Sequence, residues 1–172
     1  MADRLIVVNG IAGAGKTTLA GPLAGELGIP LVSKDAIKEA LGDAIDAHLP
    51  TRSVGALATD ALWRLAGMLD GTVMVESVWL SGRDEDWFRR GWESIGSPSG
   101  IELWCEAPRE VMRDRYLTRP RHRVHDDQAR MAEWESAAAV AAPITDLPLL
   151  RVDTSTAVDI SALAASVRRT LA

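Results

Sequence analysis

The run Gly10-Ile11-Ala12-Gly13-Ala14-Gly15-Lys16-Thr17 carries the most specific chemistry in the sequence. It fits G-x-x-x-x-G-K-[ST], a loop that wraps a triphosphate in backbone N–H groups at the positive end of a helix. Gly10, Gly13 and Gly15 permit unusual backbone angles and keep Cβ atoms away from phosphate. The Lys16 ammonium suits β- and γ-phosphates, and the Thr17 hydroxyl suits Mg²⁺. Ala12, Ala14 and Thr18 complete the expected nucleotide contacts. ATP and Mg²⁺ are therefore the expected cofactors. A glycine-rich turn before an ordinary helix would share the composition, but not strand, loop, Lys-Thr and helix in this order.

Other residues could join such a site. Asp35 and Glu76 each follow a short apolar run. A carboxylate there can take a proton from a hydroxyl, hold a metal through oxygen, cap a helix or face water. Arg113, Arg115, Arg119, Arg121 and Arg123 crowd together, and Arg115 and Arg119 are spaced to share one helix face. Such a run suits a phosphoryl group or is a solvated charged stretch. His48, His122 and His125 have no companions at metal-ligand spacing, so polar surface is their plain reading. Six tryptophans stand against one tyrosine and one phenylalanine. Trp63 and Trp79 could wall a pocket for a flat acceptor or pack in the core.

The elements that must position these residues alternate. Leu5–Val8, Leu31–Val32, Thr72–Val75, Ile101–Cys105 and Leu149–Val152 read as short buried strands. Helices are expected over 16–27, 36–41, 54–69, 84–95, 108–118, 131–142 and 158–171. The third of these should bury Leu57, Ala61, Leu62, Leu65 and Leu69. Residues 45–51 and 96–100 read as loops. Strands alternating with helices imply a three-layer α/β/α domain with a mainly parallel sheet. Ligands then bind beyond the carboxyl ends of the strands, where Asp35 and Glu76 would stand.

A chain of 172 residues makes one domain, 1–172, the expectation. At 47% apolar and 25% charged it has the make-up of a globule, with no run long enough to span a membrane. Met1-Ala2-Asp3-Arg4 leads directly into the first strand, and Cys105 is the lone cysteine. A cytoplasmic protein without secretion signal or intrachain disulfide is expected. The net charge of −5 argues against general nucleic-acid coating.

The chain resembles small kinases of the P-loop superfamily, in the branch of chloramphenicol phosphotransferase, zeta-toxin-like kinases and polynucleotide kinases. The likeness runs nearly end to end. It rests on the phosphate loop, Ser33-Lys34-Asp35-Ala36-Ile37-Lys38-Glu39, Val73-Met74-Val75-Glu76-Ser77-Val78-Trp79, and Arg115-Tyr116-Leu117-Thr118-Arg119 with Arg121-His122-Arg123-Val124-His125. The resemblance implies strand order 2-3-1-4-5 and a helical lid over about 113–130. It implies that Asp35 is general base and that Arg115 and Arg119 steady the moving phosphoryl group. Glu76 stands where relatives often have aspartate, and would serve metal or acceptor. Lys38, His48, Trp79 and Arg123 are the remaining candidates for the acceptor side, and 153–155 for the adenine side. A small molecule with a hydroxyl is the implied acceptor. A nucleic-acid 5′-hydroxyl, or a nucleotide switch without acceptor, are the alternatives.

Overall fold

The computed structural model describes residues 2–47, 49–120, 122–125 and 131–172. His48, Arg121 and the 126–130 portion of the expected lid lie outside the described residues. The order of elements is β1 (Ala2–Asn9), α1 (Lys16–Leu27), β2 (Leu31–Ser33), α2 (Lys34–Asp43), α3 (Thr51–Met68), β3 (Gly71–Glu76), α4 (Glu85–Ser94), β4 (Ser99–Glu106), α5 (Arg109–Thr118), α6 (Met131–Val140), β5 (Leu149–Asp153) and α7 (Ile160–Leu171). The five strands form one parallel sheet in the order β2-β3-β1-β4-β5.

Alternation along β1 builds both layers at once, because successive strand side chains point to opposite faces. Leu5 and Val7 join Val73, Val75, Leu62, Trp63 and Phe88 beneath α3 and α4. Ile6 and Val8 join Leu19, Leu23, Met74, Leu103, Ala164 and Val167 beneath α1 and α7. Each such aliphatic side chain contributes about 1.5–3 kcal/mol on burial. Both faces are therefore covered, as a parallel sheet requires.

The buried stripe of α3 differs from the expected one. Leu57 and Leu65 are 59% and 44% exposed, whereas Val54, Ala58, Thr59, Leu62, Trp63 and Ala66 are buried. Two rows at four-residue spacing lie side by side on this helix, one residue apart. The row with Ala58 and Ala66 faces the sheet, since small side chains let the helix approach closely. Boundaries also move. α3 begins at Thr51 inside an expected loop, and β4 takes in Ser99 and Gly100.

Register aligns the strand ends that matter. Ser33 pairs with Glu76, Val8 with Glu76, Asn9 with Trp104 and Glu106 with Asp153. The phosphate loop leaves β1 at this edge.

Candidate active site

Three carbonyls of the phosphate loop are held from the protein side. Lys16 Nζ donates to Ile11 O at 3.1 Å, Trp134 Nε1 to Ala12 O at 2.9 Å, and Thr154 Oγ1 to Ala14 O at 2.9 Å. Gly10 N and Ala14 N are also engaged, with Asn9 Oδ1 and Ile11 O, so what is left to offer an anion is the remaining N–H groups. The first-turn amides of α1, including those of Thr17 and Thr18, have no intrahelical partner. Gly15 caps the helix at φ 77 with no side-chain hydrogen bond to compete for them. The glycine at 13 answers to packing as well as to ligand. Its φ is +89, and a Cβ there would lie 2.2 Å from Met112 O. Cys105 is buried under the loop, and burial pushes its thiol up to about 12, with the Lys16 charge acting in the opposite sense.

The loop's entry is fastened by Asn9. Its Oδ1 accepts from Gly10 N (2.7 Å) and Trp79 N (2.9 Å), and its Nδ2 donates to Trp79 O and Glu102 Oε1, each at 2.8 Å. Glu102 is fully buried and also accepts from Ile144 N, Thr145 N and Thr145 Oγ1. These donors supply what water would otherwise give a buried carboxylate.

Glu76 is 1% exposed. Its Oε1 accepts from Thr17 Oγ1 at 3.2 Å and its Oε2 from Ser33 Oγ at 2.5 Å. It is therefore not a strand-end carboxylate facing water. A hydroxyl and a carboxylate side by side are hard oxygen donors and fit Mg²⁺, which takes few protein ligands alongside phosphate and water. Ser33 also caps α2, its Oγ accepting from Ala36 N at 3.5 Å. Asp35 thus stands in the first turn without being the cap, half-buried, two residues on from the serine that holds Glu76.

The other expected residues are distributed differently. Lys38 is buried, with Nζ 2.7 Å from Thr51 Oγ1 and 3.4 Å from His125 Nδ1. Trp79 is 2% exposed and its ring packs edge-on against Phe88 and beside Trp63, so it is core rather than pocket wall. Arg115 donates to Thr154 O (2.9 Å) and Ser155 O (3.4 Å), bracing the loop expected at adenine. Arg119 is the C-cap of α5, one turn beyond Arg115, its N–H donating to Arg115 O at 3.2 Å, and it is exposed. Arg113 pairs with Glu135. Arg123 Nη2 donates to Gly42 O and Ile45 O, at the end of α2 where carbonyls favour a cation.

Asn9, Glu102, Ser33 and Trp134 are positioning residues that sequence reasoning did not single out, and Thr154, expected on the adenine side, also ties Ala14 O of the phosphate loop. One left a signal. Glu102 interrupts the apolar run Ile101-Glu102-Leu103-Trp104-Cys105, and a charge inside a buried strand demands partners.

A parallel 2-3-1-4-5 sheet with this loop at the exit of β1 defines a P-loop kinase fold. The chain belongs to the AAA domain family AAA_33, whose family model matches residues 5–144. It is similar over 98% of both chains to the crystal structure of a candidate kinase from Chloroflexus aurantiacus J-10-fl, with 32% identity and a TM-score of 0.82. A sugar kinase from Janibacter sp. HTCC2649 shares the fold at 21% identity and TM-score 0.61, over 97% of this chain and 95% of that one. Shikimate kinase from Acinetobacter baumannii does so at 15% identity and TM-score 0.59, over 97% and 92%. No curated protein matches the chain. Among the described residues, no helix is long and apolar enough to cross a membrane.

Proposed function

We propose that the protein transfers the γ-phosphate of ATP to a hydroxyl of a small molecule of antibiotic, nucleoside or sugar-like class. The observation that carries this reading is the Ser33 hydroxyl. It caps the helix bearing Asp35 and holds Glu76, which in turn meets Thr17 of the phosphate loop. These bonds join the start of the helix that bears the candidate base to the phosphate loop. The likeness to a candidate kinase at 32% identity supports phosphotransfer.

In this reading the loop amides and Lys16 bind the β- and γ-phosphates. Thr17 and Glu76 would hold Mg²⁺, which neutralises charge on the phosphate oxygens when bound. Asp35 accepts the acceptor's hydroxyl proton, the acceptor oxygen bonds to the γ-phosphorus, and the bond from that phosphorus to the bridging oxygen breaks, releasing ADP. Arg115 serves by fixing the loop after β5. Arg119 is exposed and available to the phosphoryl group.

The test is incubation with γ-labelled ATP and a panel of antibiotics, nucleosides and sugars, read by mass for one added phosphate. Asp35→Asn should keep fold and ATP affinity and lose about 10²–10⁴ in turnover. Undiminished turnover in that variant would remove Asp35 as base. Label passing only to a single-stranded oligonucleotide, or only to phosphate, would overturn the small-molecule acceptor.

A further inference from the structure

Residues 122–125, which follow α5, lie along α2. Val124 is buried against Gly42, where an added Cβ would sit 3.0 Å from Val124 Cβ, and Thr51 Oγ1 donates to Val124 O at 2.7 Å. Two histidines reach two carboxylates of α2. His122 Nε2 lies 2.8 Å from Asp43 Oδ1, and His125 Nε2 lies 3.0 Å from Glu39 Oε1. Asp35, Glu39 and Asp43 recur every four residues, so they share one face of α2. The segment clasps the second and third of these carboxylates, and the charge of the first acts on His125.

We propose that His125 is a positioning residue: its neutral ring fastens segment 122–125 to α2, so holding Asp35 against the phosphate loop, and the fastening fails when the ring gains a proton. The role of Asp35 in this rests on the phosphotransferase reading, whereas the clasp itself does not.

Hydrogen-bond chemistry fixes the tautomer. A lysine ammonium only donates, so His125 Nδ1 must accept from Lys38, and the ring proton sits on Nε2, donated to Glu39. A second proton would land on Nδ1 and face the Lys38 ammonium, losing one bond and opposing two cations. The ring is 8% exposed. Burial lowers its affinity for a proton. The Asp35 charge and the bond to Glu39 raise that affinity, Lys38 lowers it, and the net result lies below the ordinary histidine value. Thr51 is the uncharged contributor from α3, and His122 and Arg123 of the same segment engage the far end of α2. A histidine whose folded pKa is depressed stabilises above its unfolded value of about 6.5 and loses that contribution as pH falls through the folded value. The clasp is shut at neutral pH and opens on acidification.

The experiment compares the wild type with His125→Gln and His125→Ala, using ¹⁵N-histidine NMR and hydrogen exchange of α2 amides across pH. Glutamine reproduces the acceptor and the donor but does not titrate. In the wild type, His125 should show the Nε2–H tautomer and titrate below about 6.5, and α2 protection should fall with it. The Gln variant should keep that protection in acid. The Ala variant should lose about tenfold in protection at every pH. With an active acceptor, Ala should lower kcat about 10- to 100-fold at unchanged KM for MgATP, and Gln should restore it. Wild type and Gln responding alike to acid, or α2 exchange untouched by Ala, would overturn the proposal. If the exchange results hold but the wild type phosphorylates nothing, the clasp stands and its service to Asp35 is refuted.

Discussion

Replacing Asn9 probes how the phosphate loop is held. Its side chain is fully buried and serves Gly10 N, Trp79 N, Trp79 O and one oxygen of Glu102. Asn9→Ala strips three backbone groups of partners, while Glu102 keeps its donors from 144 and 145. An orphaned buried group costs about 1–3 kcal/mol, and water entering the space left behind favours the lower end, so the total is about 3 kcal/mol. With a urea slope of about 2 kcal/mol/M, the midpoint should fall by about 1.5 M at unchanged slope. Asn9→Asp is nearly isosteric and is the sharper test. It turns a donor into an oxygen at the positions where Nδ2 now lies 2.8 Å from Trp79 O and from Glu102 Oε1. Near neutrality this sets a second buried carboxylate against the first and should cost more than alanine, about 3–5 kcal/mol. Burial and the neighbouring charge raise the introduced group's pKa above its unfolded value. The deficit should therefore shrink as pH falls and the protonated acid donates again. An aspartate variant as stable as wild type at pH 7, or an alanine cost below about 1 kcal/mol, would refute the reasoning.

Three further outcomes are expected. Gly13→Ala places a Cβ 2.2 Å from Met112 O at a φ of +89, so it should cost about 2–4 kcal/mol and abolish ATP binding by calorimetry. Retained binding would show that the loop tolerates a side chain there. Ser33→Ala removes a cap and a bond to Glu76, so it should cost about 1 kcal/mol and weaken MgATP binding while leaving magnesium-free ATP binding unchanged. Equal losses in both forms would separate Ser33 from the metal side. Cys105 is buried with its thiol pushed up to about 12, so folded protein should react with a thiol reagent at pH 8 only as fast as it opens. Rapid labelling without denaturant would contradict that burial.

The sheet was readable because β1 alternates Leu5, Ile6, Val7 and Val8 between two apolar layers, leaving few other ways to cover them. The loop was readable because its chemistry needs particular residues at particular steps. On α3, periodicity offered two neighbouring rows, and one residue of rotation, about 100°, decides which is buried. That choice belongs to side-chain volume against the sheet. Trp79 was unreadable for a related reason. An aromatic beside a cleft residue can face cleft or core, and here Trp63 and Phe88 complete a core cluster. Arg115 and Arg119 have the spacing of a shared face and stand one turn apart at the end of α5, but spacing could not say that Arg115 turns to the carbonyls of Thr154 and Ser155.

The three carbonyls of the phosphate loop are tied by side chains from α1, α6 and the turn after β5. The ligature has a consequence during synthesis. A ribosome delivers the glycine-rich stretch early, yet Trp134 and Thr154 emerge only when most of the polypeptide has been made. A nascent or truncated chain ending before Thr154 should carry the whole motif and still grip no nucleotide. On the proposed reading, a triphosphate would stabilise completed molecules and could not template unfinished ones.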